Sequence, residues 1–170
     1  MGLLSERWDS LEELLIHQLQ DLYDSELRML DAFPKMIERA ENPELKQAFE
    51  AARKETDSHI EKLERVFERL DQPAKRTTCQ AMQGLIKEGN RVIQAEGDSA
   101  VIDAALIASA QRFEHYEIAG YGCVKNFAER IGRADITEML QEILDDEGAI
   151  DEELTRIATD LVNPEAAASV

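Results

Sequence analysis

Acidic side chains stand inside the apolar faces of several segments whose residue spacing is helical. Glu26 lies four residues after Leu22 and three before Met29, and Glu117 and Glu147 have equivalent apolar neighbours. A carboxylate is rarely buried alone, because taking its charge out of water is costly and usually forces it to bind a proton. These three positions therefore indicate interior carboxylates that need a proton or a cation.

His59 occupies the matching position on another segment, with Glu55 one turn earlier on nearly the same face. Glu114 lies one turn before Glu117 and is a further candidate. Counted from the nearest predicted turns, the acidic residues on four segments lie at a similar height, about 13 to 16 residues or roughly 20–25 Å along their helices. Their side chains can therefore meet at one level of a helical bundle.

Carboxylates gathered at one interior point repel one another, whereas bridging cations neutralise them. Carboxylate and imidazole ligands together suit iron or manganese better than zinc or calcium. Ferritin-like di-iron and di-manganese sites combine one Glu from each of two helices with a Glu/His pair from each of the other two. The alternative is that some of the 36 acidic residues fall on an apolar face by chance and are protonated or point outward.

The apolar periodicity predicts four long helices in two hairpins, an all-α antiparallel four-helix bundle. The first helix begins near Ser5 or Ser10, where residues 10–13 read as a capping box, and it continues with a kink through Pro34 to about Asn42. The others are predicted over Leu45–Leu70, Ala100–Ile131 and Ile136–Leu161. Residues 72–99 form a crossover with a short extra helix. We expect a single domain over residues 1–163 and a disordered tail over residues 164–170.

The net charge of −17, from 36 acidic and 19 basic residues, makes nucleic acids and anionic membrane surfaces unfavourable partners. Metal cations are the partners that such a charge attracts. A basic leader followed by a long apolar stretch is missing, and so is a run of about 20 apolar residues. The sequence therefore predicts a cytoplasmic protein.

The two cysteines and two of the tyrosines have secondary roles in this interpretation. Cys79 and Cys123 lack the spacing of a metal-binding pair and are interpreted as reduced thiols, with Cys123 packed in the core. Tyr23 and Tyr121 are candidates to hydrogen-bond the carboxylate site from outside its ligands. His115, like His17, falls off the apolar face of its helix and is predicted to lie at the surface.

Four short stretches resemble the YciF-like bacterial stress proteins: residues 21–26, 55–59, 114–118 and 144–147. The resemblance extends from about Leu11 to Leu161. It implies a ferritin-like four-helix bundle with a short crossover helix, usually a homodimer, and a di-metal centre of the rubrerythrin type, with no known substrate. Carried over by position, the implied metal ligands are Glu26, Glu55, His59, Glu114, Glu117 and Asp146 or Glu147.

The sequence departs from the wider ferritin-like pattern at one ligand position. Glu55 and His59 are four residues apart, and a shift of 91 positions, which aligns the two hairpins, puts Ile150 where a second histidine is expected.

The first hypothesis for the function is a di-iron or manganese stress protein with oxygen or peroxide chemistry. The alternatives are a non-catalytic structural or interaction bundle with vestigial carboxylates, and a storage shell, which the dimeric family disfavours. Whether the chain is an enzyme is left open.

Overall fold

The computed structural model describes residues 7–168 of the chain, and nearly all of them are helical. The elements are α1 (Leu11–Arg39), α2 (Pro43–Arg69), α3 (Gln80–Ile93), α4 (Ser99–Arg130) and α5 (Ala134–Ile157), followed by a π-helical turn (Ala158–Val162) and α6 (Asn163–Ala168). The described residues contain no strand. The predicted all-α class is confirmed.

Four of the helices form an antiparallel bundle made of two hairpins. Helix α1 packs against α2 and α4, and α5 packs against α4 and α2. Short turns join α1 to α2 and α4 to α5, so each pair is antiparallel. Helix α4 starts beside the α1–α2 turn and therefore runs in the same direction as α2. The chain returns along the bundle through the crossover, where α3 packs against α1 and α4.

Side-chain caps fix the ends of the helices. The Ser10 hydroxyl accepts from the amide of Glu13, and the Glu13 carboxylate accepts from the amide of Asp9, so the helix begins as its sequence predicts. Helix α1 runs through Pro34 without ending there. At the α1–α2 turn, the buried Asp103 carboxylate on α4 accepts from the amides of Glu41 and Asn42 and so ties the two hairpins together.

The crossover is held against α1 by Asp24, whose carboxylate is buried. That carboxylate accepts from Arg28, from Arg76 at 2.8 Å and from the amide of Cys79 at 2.8 Å. Burial acts to raise the pKa of Asp24, but these donors outweigh burial and lower it. The start of α3 is therefore fixed beside the middle of the bundle.

Two sequence predictions about the surface are wrong. Residues 164–168, expected to be disordered, belong to α6, which packs against α4; Pro164 falls in its first turn, where a missing amide proton costs nothing. Residues 169–170 lie outside the described residues. Cys123 is exposed rather than in the core, because it is rotated by about 100° from its buried neighbour Val124.

The apolar core falls into two clusters, one toward each end of the bundle. One contains Phe33, Phe49 and Phe113, and the other contains Leu63 and Leu140. Between them lies a layer of buried charged side chains, including Glu26 on α1. Within residues 7–168, no helix is both long and apolar enough to span a membrane.

Candidate metal centre

Five ionisable side chains from four helices are buried in the middle of the bundle. Each is at most 2% exposed, although each belongs to a residue type that is mostly found at protein surfaces or paired. Helices α1, α2 and α5 supply one residue each and α4 supplies two. The five are Glu26, His59, Glu114, Glu117 and Glu147.

Three of these side chains form a group around the imidazole of His59. Its Nδ1 atom lies 3.1 Å from Oε1 of Glu147 and 3.4 Å from Oε1 of Glu26. One ligand atom from each residue lies within 4.8 Å of the others, a separation that a single cation can bridge. The first group therefore offers two carboxylates and one imidazole.

A second group shares one member with the first. It consists of Glu114, Glu117 and Glu147, again with one oxygen from each within 4.8 Å of the others. The Glu147 carboxylate is thus common to both groups and has two oxygens. This arrangement would allow Glu147 to bridge two neighbouring cations.

Burial and neighbouring charges shift the pKa values of four cluster members upward: Glu26, His59, Glu114 and Glu117. Burial, followed by the charges of Glu26 and Glu147, raises the pKa of Glu117 well above its usual range, and burial with the charge of Glu147 does the same for Glu114. Burial also raises the pKa of Glu26. Burial lowers the pKa of His59, but the Glu147 and Glu26 carboxylates outweigh it and raise that pKa to about 10. Without a bound cation, the cluster must therefore keep protons.

The hydrogen bonding of the cluster supports cation binding. Both oxygens of Glu114, Oε2 of Glu26, Oε2 of Glu117 and both ring nitrogens of His59 are buried without a hydrogen-bond partner among the described residues. Buried polar atoms are nearly always paired in native proteins, and a bound ion or an ordered water accounts for several unpaired atoms at one point. Since the donors are oxygens and one imidazole, the residues fit iron or manganese.

Two hydroxyl groups orient the carboxylates from outside the cluster. The fully buried Tyr121 donates its hydroxyl hydrogen to Oε1 of Glu26, and Ser25 donates to Oε1 of Glu117 at 2.9 Å. Each bond leaves the second oxygen of that carboxylate free. Tyr121 was predicted at this position. Tyr23 was also predicted there, but its hydroxyl instead donates to Glu64 at 2.8 Å.

The remaining two predicted ligands, Glu55 and Asp146, are half-buried at the edge of the cluster. They form a third group with His59, whose Nε2 atom lies 3.4 Å from Oδ2 of Asp146. Lys62, which the sequence interpretation missed, donates to the same oxygen at 3.0 Å. All seven predicted ligands are thus close together, five in the interior and two on its outer side.

Other predicted features lie away from the cluster. His115 is exposed and pairs with Asp151 at 3.4 Å, as expected of a surface residue. The ring of His17 is half-buried and lies 5.0 Å from that of Trp8. Ile150, at the place of the absent second histidine, packs against the apolar core.

Fold and site together define an all-helical bundle protein with a buried cluster of carboxylates and one histidine. A family described as a domain of unknown function, DUF892, matches residues 10–167. The chain belongs to this family.

Two proteins of known structure are similar to this chain over most of its length. Protein YciF of Escherichia coli is 41% identical over 158 residues, which are 92% of this chain and 95% of that protein. The crystal structure of this E. coli stress protein superposes with a TM-score of 0.88. YcfI of Rhodopseudomonas palustris is 40% identical, with a TM-score of 0.86 over 90% of this chain and 98% of that one. These similarities confirm the resemblance to YciF-like proteins.

Proposed function

We propose that this chain is a metal-binding stress protein of the ferritin-like kind, with two iron or manganese ions held in the bundle. The ligands are the five interior side chains, Glu26, His59, Glu114, Glu117 and Glu147. One observation carries the proposal: two buried groups of three ligands share Glu147, and most of their other polar atoms are without a hydrogen-bond partner. The name of the E. coli relative supports the stress response.

The chain's own residues have distinct tasks at such a centre. Glu147 would serve as a ligand to both ions, because it belongs to both groups. His59 would bind through Nδ1 and keep its proton on Nε2, which faces Asp146, an arrangement that would fix the ring and its tautomer. Tyr121 holds Glu26 in place through its hydroxyl group. Bound iron or manganese would supply the electron transfer needed for reaction with oxygen or peroxide.

The cluster's distance from solvent suits such reactivity. Apolar side chains close the bundle on both sides of the charged layer, and the five ligands are at most 2% exposed. Exclusion of water strengthens the electrostatic interactions inside the site. Only small molecules reach such a position, which fits oxygen or peroxide better than a large substrate.

A non-catalytic structural bundle is the second candidate function. The observation that favours it is the upward shift in the pKa values of Glu114 and Glu117, since protonated carboxylates remove the repulsion without any metal. This candidate requires that a chelator leave the melting temperature unchanged. Metal binding requires the opposite, because a ligand that binds the folded state raises its stability.

Metal analysis of the purified protein tests the proposal. After growth with excess iron or manganese, we expect about two ions per chain, set by the two groups of ligands. The Glu147→Gln variant should lose both. A content below about 0.2 ions per chain in the wild-type protein contradicts a tight native site.

The expected assembly follows from the resemblance to the family. We propose a cytoplasmic homodimer without nucleic-acid partners, consistent with the net charge of −17. The metal ligands all come from one chain, so the centre does not depend on the dimer.

A further inference from the structure

A groove between α2 and α5 lies over the outer side of the candidate centre. Its volume is about 260 Å³, and alanine side chains with Ile150 form its apolar lining. Its acidic members are Glu55, Asp146 and Glu153. Glu153 is bound to Arg156, so Glu55 and Asp146 are the acidic groups that face the cluster.

The imidazole of His59 separates this groove from the buried centre. Its Nδ1 atom faces Glu26 and Glu147, whereas Nε2 faces Asp146 on the groove side. Both nitrogens are fully buried, and neither has a hydrogen-bond partner among the described residues. A ligand atom of His59, one of Glu55 and one of Asp146 lie within 4.8 Å of one another. A buried, unpaired nitrogen thus points into a half-exposed acidic pair.

We propose that Glu55, Asp146 and Nε2 of His59 form a loading site, which holds a divalent cation arriving through the groove before it moves to the buried centre. The loading site rests on the proposed function, because it needs an inner centre to receive the ion. The loading site suits a hard or borderline divalent cation, since two of its three ligands are carboxylates.

The chemistry of the imidazole makes occupancy of this loading site transient. Neutral imidazole has one lone pair available, on either Nδ1 or Nε2. An ion held by Nε2 in the loading site therefore excludes an ion held by Nδ1 in the centre. Transfer inward releases the proton from Nδ1 to water and takes up another from water on Nε2, so the imidazole stays neutral and the new N–H faces Asp146. The filled protein should contain two ions rather than three.

Lys62 pairs with Asp146, one member of the loading site. Its ammonium group lies 3.0 Å from Oδ2 of Asp146 and 3.6 Å from Glu142. A metal ion must displace this ammonium group from Asp146 before it binds there. Lys62 is therefore expected to slow loading, and Glu55 to speed it.

Rapid mixing of the metal-free protein with Co²⁺ measures loading through the visible absorption of the bound ion. We expect Glu55→Gln to reduce the loading rate about tenfold, the lower end of the effect of charged clefts on association, and to leave two ions bound at equilibrium. Glu61→Gln is the matched control, because Glu61 is exposed, lies on the same helix and loses the same charge. Its loading rate should match that of the wild-type protein.

A second pair of variants tests whether removal of a positive charge speeds loading. Lys62→Met should load faster than the wild-type protein by several-fold, whereas Arg65→Met, an exposed control with the same loss of charge, should not. The loading site is overturned if Glu55→Gln loads Co²⁺ as fast as the wild-type protein. It is also overturned if Glu61→Gln slows loading as much as Glu55→Gln does. Normal loading with two ions in every variant leaves the proposed function intact. No Co²⁺ binding by the wild-type protein overturns the proposed function and the loading site together.

Discussion

Replacing Glu147 with glutamine should abolish the response of the protein's stability to metal. Glu147 is the one residue that both buried groups share, and glutamine keeps its size while removing its charge. Loss of this side chain therefore weakens both ion positions at once. Glu114→Gln removes a ligand from the second group alone and should weaken one position.

The expected magnitude follows from the number of sites. At a free Mn²⁺ concentration 100 times the dissociation constant, each site stabilises the folded state by about 2.7 kcal/mol, so two sites contribute roughly 5 kcal/mol. For a chain of this size, 1 kcal/mol corresponds to about 2–4 °C in melting temperature. Mn²⁺ should therefore raise the melting temperature of the wild-type protein by roughly 10–20 °C, that of Glu114→Gln by about half as much, and that of Glu147→Gln by almost nothing.

Thermal unfolding followed by circular dichroism, with Mn²⁺ or with a chelator, makes this measurement. In chelator, Glu147→Gln relieves repulsion with the other buried carboxylates but also breaks the pair with His59, so each variant's response to Mn²⁺ is measured against the same variant in chelator. Glu152→Gln, an exposed change on the same helix, is the control and should keep the full response. A full Mn²⁺ response in Glu147→Gln would refute the shared-ligand reasoning, and none in the wild-type protein would refute metal binding.

Three further outcomes are expected. Tyr121→Phe removes the hydrogen bond to Glu26 and should lower Mn²⁺ affinity about 10–100-fold by calorimetry, with unchanged helicity. Asp24→Asn should lower the free energy of unfolding in urea by about 2–3 kcal/mol, because it weakens the buried carboxylate's bonds to Arg76 and to the Cys79 amide. Light scattering should give twice the mass of the chain, and a monomer would contradict the expected homodimer.

The helices and much of the site follow from residue spacing. Where one face of a helix is apolar, a charged residue at the same spacing must point inward, and this argument places Glu26, Glu117 and Glu147 in the interior. Glu114 was harder to place, since it stands at the edge of that face. Helix α4 is covered by α1, α3 and α5, so its buried surface is wider than one stripe and includes Glu114.

The remaining features depend on tertiary contacts that spacing does not encode. Neighbouring residues on a helix differ in direction by about 100°, so Asp146 could not be assigned to the interior or the edge without the rotation of α5. Lys62 and Ser25 bond to residues on other helices, Asp146 and Glu117, and have no local signal. The disordered tail was predicted to start at Pro164, yet the first turn of a new helix accommodates proline equally well.

Anomalous scattering at the iron edge from crystals of the iron-loaded protein tests the central claim most directly. Two peaks should lie in the middle of the bundle, one beside Glu26 and His59, the other beside Glu114 and Glu117, with Glu147 next to both. Interior density without an anomalous signal, or iron only at the exposed surface, would contradict a di-metal centre.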